Sequence, residues 1–280
     1  DIPAPDVNTD AQTMAWIADT VSMLLGKTTM EIVTGKPIPL GGSVGRQEAT
    51  GRGVAITTRE LLKRKRRQLS DTTVAVQGYG NVGSAAATIL HQMGCKIVAV
   101  SDISGGLYAR QGFDIPSLNR HVASHPHRLI EGYEAPGVEE IGNDELLLCD
   151  VDLLIPSALE HQIRADNAPF VRAKMIVEGA NGPTTPEADE ILKDRGIIVV
   201  PDILANAGGV VVSYFEWVQD LQYFFWEEDE VHRNLERIMV HSFDRVWGFS
   251  QEHEVSLRLG AYMLAVAKVA DAVRSRGVFP

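Results

Sequence analysis

The chain has 280 residues, of which 45% are hydrophobic and 22% charged, proportions that allow a globular protein with a substantial core. Its 26 basic and 37 acidic residues give a net charge of −11, which argues against nucleic-acid or anionic-membrane partners. No apolar run approaches the ~20 residues that cross a bilayer, and the N-terminus has no secretory signal pattern. A cytoplasmic location follows as an expectation, and the lack of an initiator Met predicts a processed or excised piece of a longer protein.

Two cysteines and one basic run carry little functional information. Cys95 and Cys149 have no metal-like spacing, so we predict two buried small side chains, a reducing compartment and no metal site. The basic run at 63–67 closes a helical pattern. Because cations suit a helix C-terminus, this run predicts a solvated helix end rather than a nucleic-acid site.

The first elements in chain order are two helices joined by a loop. Thr9 and Gln12 fit a capping box, with Thr9 as the predicted N-cap, and Gly26 marks the end of the first helix. Its apolar positions recur at helical spacing: Met14, Ile17, Ala18, Val21 and Leu25. A loop rich in Gly and Pro follows to about residue 46, and residues 48–67 form the second predicted helix.

From residue 72 short β-rich runs alternate with helices, the signature of a parallel sheet with crossover helices. Strands are predicted at 72–77, 96–100, 151–155, 174–178 and 197–200, with helices starting at Asn81, near Asp114, near His161 and at Thr185. Three helices then finish the chain, near 207–225, 228–249 and 256–276. The last has an apolar stripe predicted to be core: Leu259, Tyr262, Val266, Val269 and Val273. The fold class is α/β, a Rossmann-like doubly wound, mostly parallel sheet with N-terminal helices and a C-terminal helical segment.

A dinucleotide-binding fingerprint follows the first strand. In Gly78-Tyr79-Gly80-Asn81-Val82-Gly83, the first glycine makes a tight turn, the second allows close approach of a pyrophosphate, and the third packs the helix on the strand. The phosphates would meet free N–H groups at the helix start. Asp102 ends the next strand about 20 residues beyond, where an acidic side chain binds ribose hydroxyls. The complete unit predicts nicotinamide dinucleotide binding.

Asp102 also bears on the choice of coenzyme. A carboxylate there repels the 2′-phosphate of NADP, and the nearest cation in sequence is Arg110. NAD is therefore favoured. NADP stays open, because Ser101 and Ser104 could hydrogen-bond a phosphate.

Small or polar residues follow every predicted strand, and in open α/β sheets ligands bind beyond these carboxyl ends. Besides Gly78 and Asp102, they include Ser157, Ala158, Asn181 and Asn206. Asn206 is predicted to be an N-cap, and Gly208 and Gly209 would admit a flat ring. Ser213 lies four residues after Gly209 on the same helical face, either facing the site or bonded back to a backbone carbonyl.

Several longer runs resemble the glutamate dehydrogenase family over essentially the whole chain. They are residues 1–9, 34–37, 41–43, 48–53, 178–185 and 206–217. The Gly-Pro-Thr-Thr-Pro and Ser-Tyr-Phe-Glu-Trp runs favour glutamate over the leucine, valine and phenylalanine dehydrogenase relatives.

The resemblance implies a role for each matching site residue. It makes Asp6 the proton-transfer carboxylate and assigns the substrate region to Asn8, Arg52, Asn181 and Ser213. It assigns coenzyme binding to the fingerprint, with phosphate contacts at Asn81 and Val82 and nicotinamide carboxamide contacts at Thr50 and Asn206; Asn181 lies near coenzyme and substrate. Some members of the family that have a Ser-Asp pair at the end of the second strand use NADP, so the choice between NAD and NADP stays open.

The family's N-terminal domain, with its glycine-rich lysine motif, has no counterpart in these residues. We therefore expect residues 1–47 to be a hinge helix and loop joining a missing domain, 48–225 a dinucleotide-binding domain, and 226–280 helices packing back on it. The first and last helices are expected to expose apolar surface. A full-length parent would be a homo-hexamer converting L-glutamate to 2-oxoglutarate and ammonia, with this fragment nearly inactive and of open oligomeric state. The alternatives are another amino-acid dehydrogenase or a non-catalytic dinucleotide-sensing subunit.

Overall fold

A computed structural model describes residues 2–6 and 9–277, and in that part of the chain strands and helices alternate from residue 73 to residue 205. The helices are α1 (Ala11–Leu25), α2 (Ala49–Arg64), α3 (Asn81–Gln92), α4 (Ile115–Ser124), α5 (Asn143–Leu147), α6 (Pro186–Asp194), α7 (Asp202–Ala205), α8 (Gly208–Gln222), α9 (Glu228–Glu252) and α10 (Leu257–Arg276). The strands are β1 (Thr73–Gln77), β2 (Lys96–Asp102), β3 (Gly105–Ala109), β4 (Val138–Ile141), β5 (Leu153–Pro156), β6 (Met175–Val177) and β7 (Ile198–Val200).

One sheet organises the described residues, with strand order β4-β3-β2-β1-β5-β6-β7. Strands β2, β1, β5, β6 and β7 run parallel, while β3 pairs antiparallel with both β2 and β4. The chain order reverses at β1, which lies between β2 and β5. Such a switch point opens a crevice beyond the carboxyl ends of the strands. The predicted doubly wound, mostly parallel α/β fold is confirmed.

The core is split by the sheet because strand side chains alternate between its two faces. Val74 and Val76 of β1 pack in one cluster, with helices α2, α3 and α9, whereas Ala75 packs in the other. In β5, Leu153 and Ile155 likewise share the first cluster and Leu154 joins the second, beside α5 and α6. Both faces of the central strands are therefore buried, which explains their continuous apolar runs.

The sequence prediction missed two strands and placed one helix wrongly. Strand β3 begins with two glycines, and β4 is an edge strand with two exposed glutamates, so neither has a strong β signal. The helix near His161 is wrong. His161 has a positive φ, and the next residues pair instead with the segment at 183–184, where Ile163 N donates to Pro183 O.

The first helix begins one residue later than its capping box predicts. Asp10 is the N-cap, and its carboxylate accepts the Thr13 N–H at 2.9 Å. Thr9 instead bonds the preceding segment, because its hydroxyl oxygen accepts the Asp6 N–H at 2.7 Å. The predicted stop at Gly26 is confirmed, with φ of 65°.

The last helix exposes apolar surface, as expected from the resemblance, and lacks the buried stripe that its periodicity predicts. The stripe predicted to be core is exposed, from 48% at Tyr262 to 64% at Val266 and Val269. Only the start of α10 is buried, through Leu257 and Ala261. Helix α1 also exposes large apolar side chains on its outer side: Trp16, Met23, Leu24 and Leu25. None of the described helices is long and apolar enough to span a membrane.

The cysteines differ in their surroundings. Cys95 is buried as predicted, and burial raises the pKa of its thiol to about 11. Cys149 is only half-buried, contrary to the prediction, although burial raises its pKa too. Both thiols are therefore protonated at neutral pH.

The basic run at the end of α2 is a helix end, as predicted, but two of its arginines are ion-paired rather than merely solvated. Arg64 bonds Glu60 and Asp244, and Arg67 donates to Asp152 at 2.6 Å. Asp152 also accepts a hydrogen bond from Lys174 at 2.9 Å. These contacts tie the end of α2 to the starts of the parallel strands.

Asp152 supplies a stability prediction with a pH dependence. Burial would raise the pKa of its carboxyl, but hydrogen bonds from Thr73 and Lys174 outweigh burial and lower it. A lowered folded-state pKa contributes stability above the unfolded value of about 3.9, which is lost as pH falls through the folded value. Asp152→Asn should therefore lower the free energy of unfolding at pH 7 by about 1–3 kcal/mol.

Urea unfolding of both proteins between pH 7 and 3 measures this difference, which should shrink in the acid range. The control is Asp166→Asn, since Asp166 is exposed and its carboxylate pairs with Arg164 on the surface. An equal deficit for Asp152→Asn at every pH would contradict the assignment.

Candidate functional site

The three glycines after β1 have different surroundings. Gly78 has φ of 87°, and a Cβ on it would lie 2.7 Å from the Ser157 carbonyl oxygen. A Cβ on Gly83 would lie 1.8 Å from the Gly78 oxygen, so α3 packs directly on the turn. A Cβ on Gly80 would meet no atom within 4 Å. The turn is thus tight at its first and third glycines and open at the second.

The open glycine stands at the start of a helix without a side-chain cap. Gly80 is the N-cap of α3 and makes no side-chain capping bond. The first helical bond comes from Ser84 N to Gly80 O at 2.9 Å, so the N–H groups of Asn81 and Val82 have no partner within the helix. Free N–H groups beside open space suit the anionic pyrophosphate of a dinucleotide.

The turn meets the next strand at the switch point of the sheet. Ser157, which follows β5, donates its N–H to Gln77 O at 2.7 Å, and Gly78 N donates to Ser101 O at 2.8 Å. Among the described residues, three buried polar atoms at these strand ends lack a partner: Gln77 Oε1, Ser101 Oγ and Ser157 Oγ. Buried polar atoms without partners are uncommon, and they fit a site that takes a polar ligand.

A cleft of about 810 Å³ opens at the same edge, and we call it the strand-end cleft. Seven of the predicted site residues line it: Thr50, Val82, Ser157, Ala158, Asn181, Asn206 and Ser213. Residues that the sequence prediction did not single out also line it, among them Arg46, Gln162 and Val210. The residues at strand ends among them follow β1, β5, β6 and β7, so the cleft lies at the switch point and on its β5 side, where ligands of this fold bind.

Asn206 reaches the cleft, but not as an N-cap. It ends α7, and Ala207 precedes α8 without a side-chain cap. The Asn206 side-chain N–H donates to Asn181 Oδ1 at 2.6 Å. This bond fixes the orientation of the Asn206 side-chain amide. Its Oδ1 atom can then accept a hydrogen bond from a ligand.

The two glycines at the start of α8 serve helix packing. A Cβ on Gly208 would lie 2.1 Å from the Ala49 oxygen, and one on Gly209 would lie 2.5 Å from Thr50 Oγ1. They let α8 approach α2 closely and bring Thr50 beside the cleft. The predicted reason for these glycines, room for a flat ring, applies to Gly209, which lines the cleft, and not to Gly208.

Ser213 has a side-chain partner that the sequence prediction missed. Its hydroxyl oxygen accepts a hydrogen bond from Arg46 Nε at 2.8 Å. Burial lowers the pKa of the Arg46 guanidinium, and the Glu216 carboxylate opposes that shift. An arginine and a hydroxyl side by side in a cleft have the hydrogen-bond donors that a carboxylate ligand would need. The loop position of Arg46 gave no periodic signal in the sequence.

Asp102 lies at the end of β2 beside the glycine turn, and its carboxylate is held by the backbone. Oδ1 accepts the Ser104 N–H at 2.8 Å, and Oδ2 accepts the Ile130 N–H at 2.7 Å. Ser104 Oγ also donates to Oδ1. Each carboxylate oxygen has more than one lone pair, and Oδ2 keeps capacity for a ligand hydroxyl.

Among the other predicted residues, Tyr79 and Arg52 do not line the strand-end cleft, and Asn81 lines the same groove beside α3 as Arg52. The Tyr79 side chain is buried in the core and donates its hydroxyl to Asn119 at 2.9 Å, and burial raises its pKa. Only its backbone faces the turn. Arg52 pairs with Glu48, four residues earlier, and lines a separate groove beside α3. The structure does not bring Arg52 to Ser213.

The Arg52–Glu48 pair belongs to a group that includes Glu228 and His232, and ligand atoms of Glu48, Glu228 and His232 lie within 4.8 Å of one another. Arg52 donates two hydrogen bonds to the Glu48 oxygen that faces the group. A guanidinium already neutralises that carboxylate, so we describe these side chains as an ion-pair cluster.

Comparison with known proteins decides the family. Residues 41–277 match the Glutamate/Leucine/Phenylalanine/Valine dehydrogenase model. The glutamate dehydrogenase of Thermotoga maritima is 54% identical over 281 aligned residues, covering 100% of this chain and 67% of that protein. The chain belongs to the glutamate dehydrogenase family.

Two further relatives agree. The catabolic NAD-specific glutamate dehydrogenase RocG of Bacillus subtilis is 46% identical over 279 residues, covering 99% of this chain and 64% of that protein. The hetero-hexameric glutamate dehydrogenase of Thermus thermophilus superposes with a TM-score of 0.92 at 38% identity, covering 100% of this chain and 65% of that one. The chain thus spans about two thirds of the length of these relatives and corresponds to the coenzyme-binding region of a glutamate dehydrogenase.

The segment that contains Asp6, the predicted proton-transfer residue, borders the strand-end cleft. Ile2 and Ala4 line the cleft, and Thr34 N donates to Pro3 O at 2.9 Å, which fixes the segment to the loop after α1. Asp6 follows two residues later and is exposed. Asn8 lies outside the described residues. The glutamate dehydrogenase assignments of Asp6 and Asn8 stay predictions.

Proposed function

We propose that this chain is the coenzyme-binding portion of a glutamate dehydrogenase and that it binds NAD in the strand-end cleft and along the glycine turn. The observation that carries the proposal is the open space over Gly80 beside the uncapped start of α3, with Asp102 at the end of the neighbouring strand. A bound coenzyme would supply hydride acceptance and donation.

The proposed residue roles follow the geometry of the chain. The N–H groups of Asn81 and Val82 hold the pyrophosphate, and the Asp102 carboxylate accepts hydrogen bonds from the adenosine ribose. Because a carboxylate repels a 2′-phosphate, NAD is preferred over NADP. The relative RocG, whose name specifies NAD, supports the same preference.

The other half of the cleft would hold the nicotinamide and the substrate. Thr50 and Asn206 bind the carboxamide, and Arg46 with Ser213 binds one carboxylate of L-glutamate, with Asn181 beside both ligands. Asp6 passes protons to and from the substrate amine and the attacking water as general acid and base. In this proposal Arg46 takes the substrate-supporting role that the family resemblance implies for Arg52.

The carboxamide assignment predicts a selective loss of affinity. Asn206→Ala should weaken NADH binding by about five- to tenfold, since one hydrogen bond contributes about 1 kcal/mol. ADP-ribose, which lacks the nicotinamide, should bind the variant as it binds the parent chain. Calorimetric titration of both ligands into both proteins measures the difference. Equal weakening of NADH and ADP-ribose would mean that Asn206 acts on the fold and not on the nicotinamide.

We also propose that the 280 residues by themselves turn over little or no L-glutamate, because they contain no glycine-rich lysine motif to complete the substrate site and activate water. Residues 1–47 would then be a hinge, 48–225 the coenzyme domain and 226–280 supporting helices. An assay of NADH formation from L-glutamate and NAD should give no rate above background. Steady turnover by the purified chain would overturn this part of the proposal and leave the coenzyme site intact.

A further inference from the structure

Helix α8 presents one polar face to the loop at 33–46. Gly209, Ser213, Glu216 and Asp220 are spaced four, three and four residues apart, so they lie in a row along the helix. The row begins in the strand-end cleft and runs into the interior, where Glu216 and Asp220 are buried. Arg46, at one end of the loop, and Lys36, near the other, both form hydrogen bonds with this row of α8 side chains.

Arg46 occupies the cleft end of this row. Its Nε donates to Ser213 Oγ at 2.8 Å, and a Cβ on Gly209 would lie 3.7 Å from its Nη1. The guanidinium therefore lies along the first turns of α8. Within residues 2–6 and 9–277, its Nη groups make no hydrogen bond. They are available to a ligand in the cleft.

Lys36 occupies the inner end. Its ammonium donates to Val33 O, to Glu216 Oε1 and to Asp220 Oδ2, each at 2.7 Å, and all three charged side chains are shielded from solvent. Glu216 also accepts the backbone N–H groups of Gly35 and Lys36, at 3.0 and 3.2 Å. One ammonium thus stands between two buried carboxylates, and Glu216 is fixed by three donors.

We propose that Glu216 is a positioning residue for Arg46, a role that rests on the proposed carboxylate-binding function of Arg46 and Ser213. The charges alternate along the row, from Asp220 to Lys36, Glu216 and Arg46. Lys36 and the backbone N–H groups of the loop hold the Glu216 carboxylate in place. This carboxylate lies one helical turn beyond Ser213 and attracts the Arg46 guanidinium. That attraction holds Arg46 against α8, with its Nη groups turned to the cleft.

Asp220, the second carboxylate that pairs with Lys36, provides a matched control. Glu216→Gln removes the negative charge beside Arg46 and leaves Lys36 balanced by Asp220. Asp220→Asn removes an equally buried charge from the same helix and the same lysine, and leaves Lys36 balanced by Glu216. Neither variant leaves the ammonium without a counter-charge, so both are expected to fold. A purely structural role for the network would affect Arg46 equally in the two variants.

Two readouts decide the proposal. The first is hydrogen exchange of the Arg46 Nε–H by NMR, which should be about tenfold faster or more in Glu216→Gln and unchanged in Asp220→Asn, because only the former removes the carboxylate whose charge acts on Arg46. The second is the affinity of 2-oxoglutarate for the chain saturated with NADH, which should fall about tenfold in Glu216→Gln only. Unchanged Arg46 exchange in a folded Glu216→Gln protein, or equal changes in both variants, would overturn the proposal.

Arg46→Lys separates this inference from the function on which it rests. If the parent chain binds 2-oxoglutarate and Arg46→Lys does not, Arg46 is the carboxylate ligand. If Arg46→Lys binds it as the parent does, or if the parent does not bind it, the proposed role of Arg46 fails. The exchange measurement still tests whether Glu216 positions the guanidinium.

Discussion

Gly80→Ala is expected to fold with the stability of the parent chain and to lose most of its affinity for NADH. Gly80 has φ of −80°, which alanine adopts without strain, and the added methyl group would meet no protein atom within 4 Å. If the pyrophosphate approaches the backbone there, the methyl group stands in its place. We expect the dissociation constant for NADH to rise by about 100-fold, equivalent to about 2.7 kcal/mol.

Gly83→Ala should behave in the opposite way. Its Cβ would lie 1.8 Å from the Gly78 oxygen and 3.0 Å from a Val76 methyl group, so α3 must move away from β1. Overpacking of this kind costs about 1–3 kcal/mol or more in stability. Thermal unfolding and NADH titration of both variants compare the two glycines. A Gly80→Ala protein that binds NADH normally would contradict the proposed path of the pyrophosphate.

Gly248→Ala is the control for both glycine variants. Gly248 lies inside α9, and a Cβ there would also meet no atom within 4 Å. The substitution should stabilise the helix by about 1 kcal/mol, because alanine has the higher helix propensity. NADH affinity should stay unchanged, since α9 does not line the strand-end cleft.

Arg258→Met is expected to cause the largest loss of stability. Arg258 joins the start of α10 to three acidic side chains, donating to Glu178 at 2.7 and 3.0 Å and to Asp189 at 3.1 Å, with Asp202 at 3.6 Å. Glu178 is fully buried, so removal of the arginine leaves an uncompensated charge in the interior. Breaking a buried pair from one side costs about 3–5 kcal/mol.

The loss should depend on pH through Glu178. Burial raises the pKa of Glu178, and the hydrogen bonds from Arg258 oppose that rise, so the pKa should rise further in Arg258→Met. A raised folded-state pKa means that stability falls as pH rises from the unfolded value, about 4.3, through the folded value. The deficit measured by urea unfolding should therefore be larger at pH 7 than near pH 4.

The control for Arg258→Met is Arg274→Met in the same helix. Arg274 pairs with Asp271 on the surface, and both side chains are mostly exposed. Exposed pairs contribute little, so the unfolding midpoint should not change. Equal effects of the two substitutions would contradict the role given to the Glu178–Arg258 pair.

The parallel half of the sheet could be predicted because its strands are short apolar runs bounded by strong turn signals. The run before Gly78, and the stop at Gly26, were found by residue type alone. The antiparallel strands β3 and β4 could not be found, because glycine pairs and edge glutamates have low β propensity. Their pairing depends on partners distant in sequence.

Long apolar helices were the hardest to interpret. The stripe of α10 has the spacing of a buried face, yet Val266 and Val269 are 64% exposed in the described chain. Periodicity shows which side of a helix is apolar and does not show what covers it. The same argument applies to α1, where Met14 is buried and Trp16 is exposed.

In the candidate site, glycine-dependent geometry was predictable and long-range side-chain contacts were not. The turn at Gly78 and the position of Asp102 follow from a short local pattern. The bond from Arg46 to Ser213 joins residues 167 apart in sequence. The network at Lys36 and Glu216, separated by 180 residues, likewise gives no local signal.

The most direct test of the coenzyme-binding proposal is a fluorescence titration of NADH, and in parallel NADPH, into the 280-residue chain. The predicted result is saturable binding of NADH and clearly weaker binding of NADPH, because Asp102 repels the 2′-phosphate. Tighter binding of NADPH would contradict the role of Asp102. Binding of neither coenzyme by the folded chain would contradict the central claim that these residues form a working dinucleotide site.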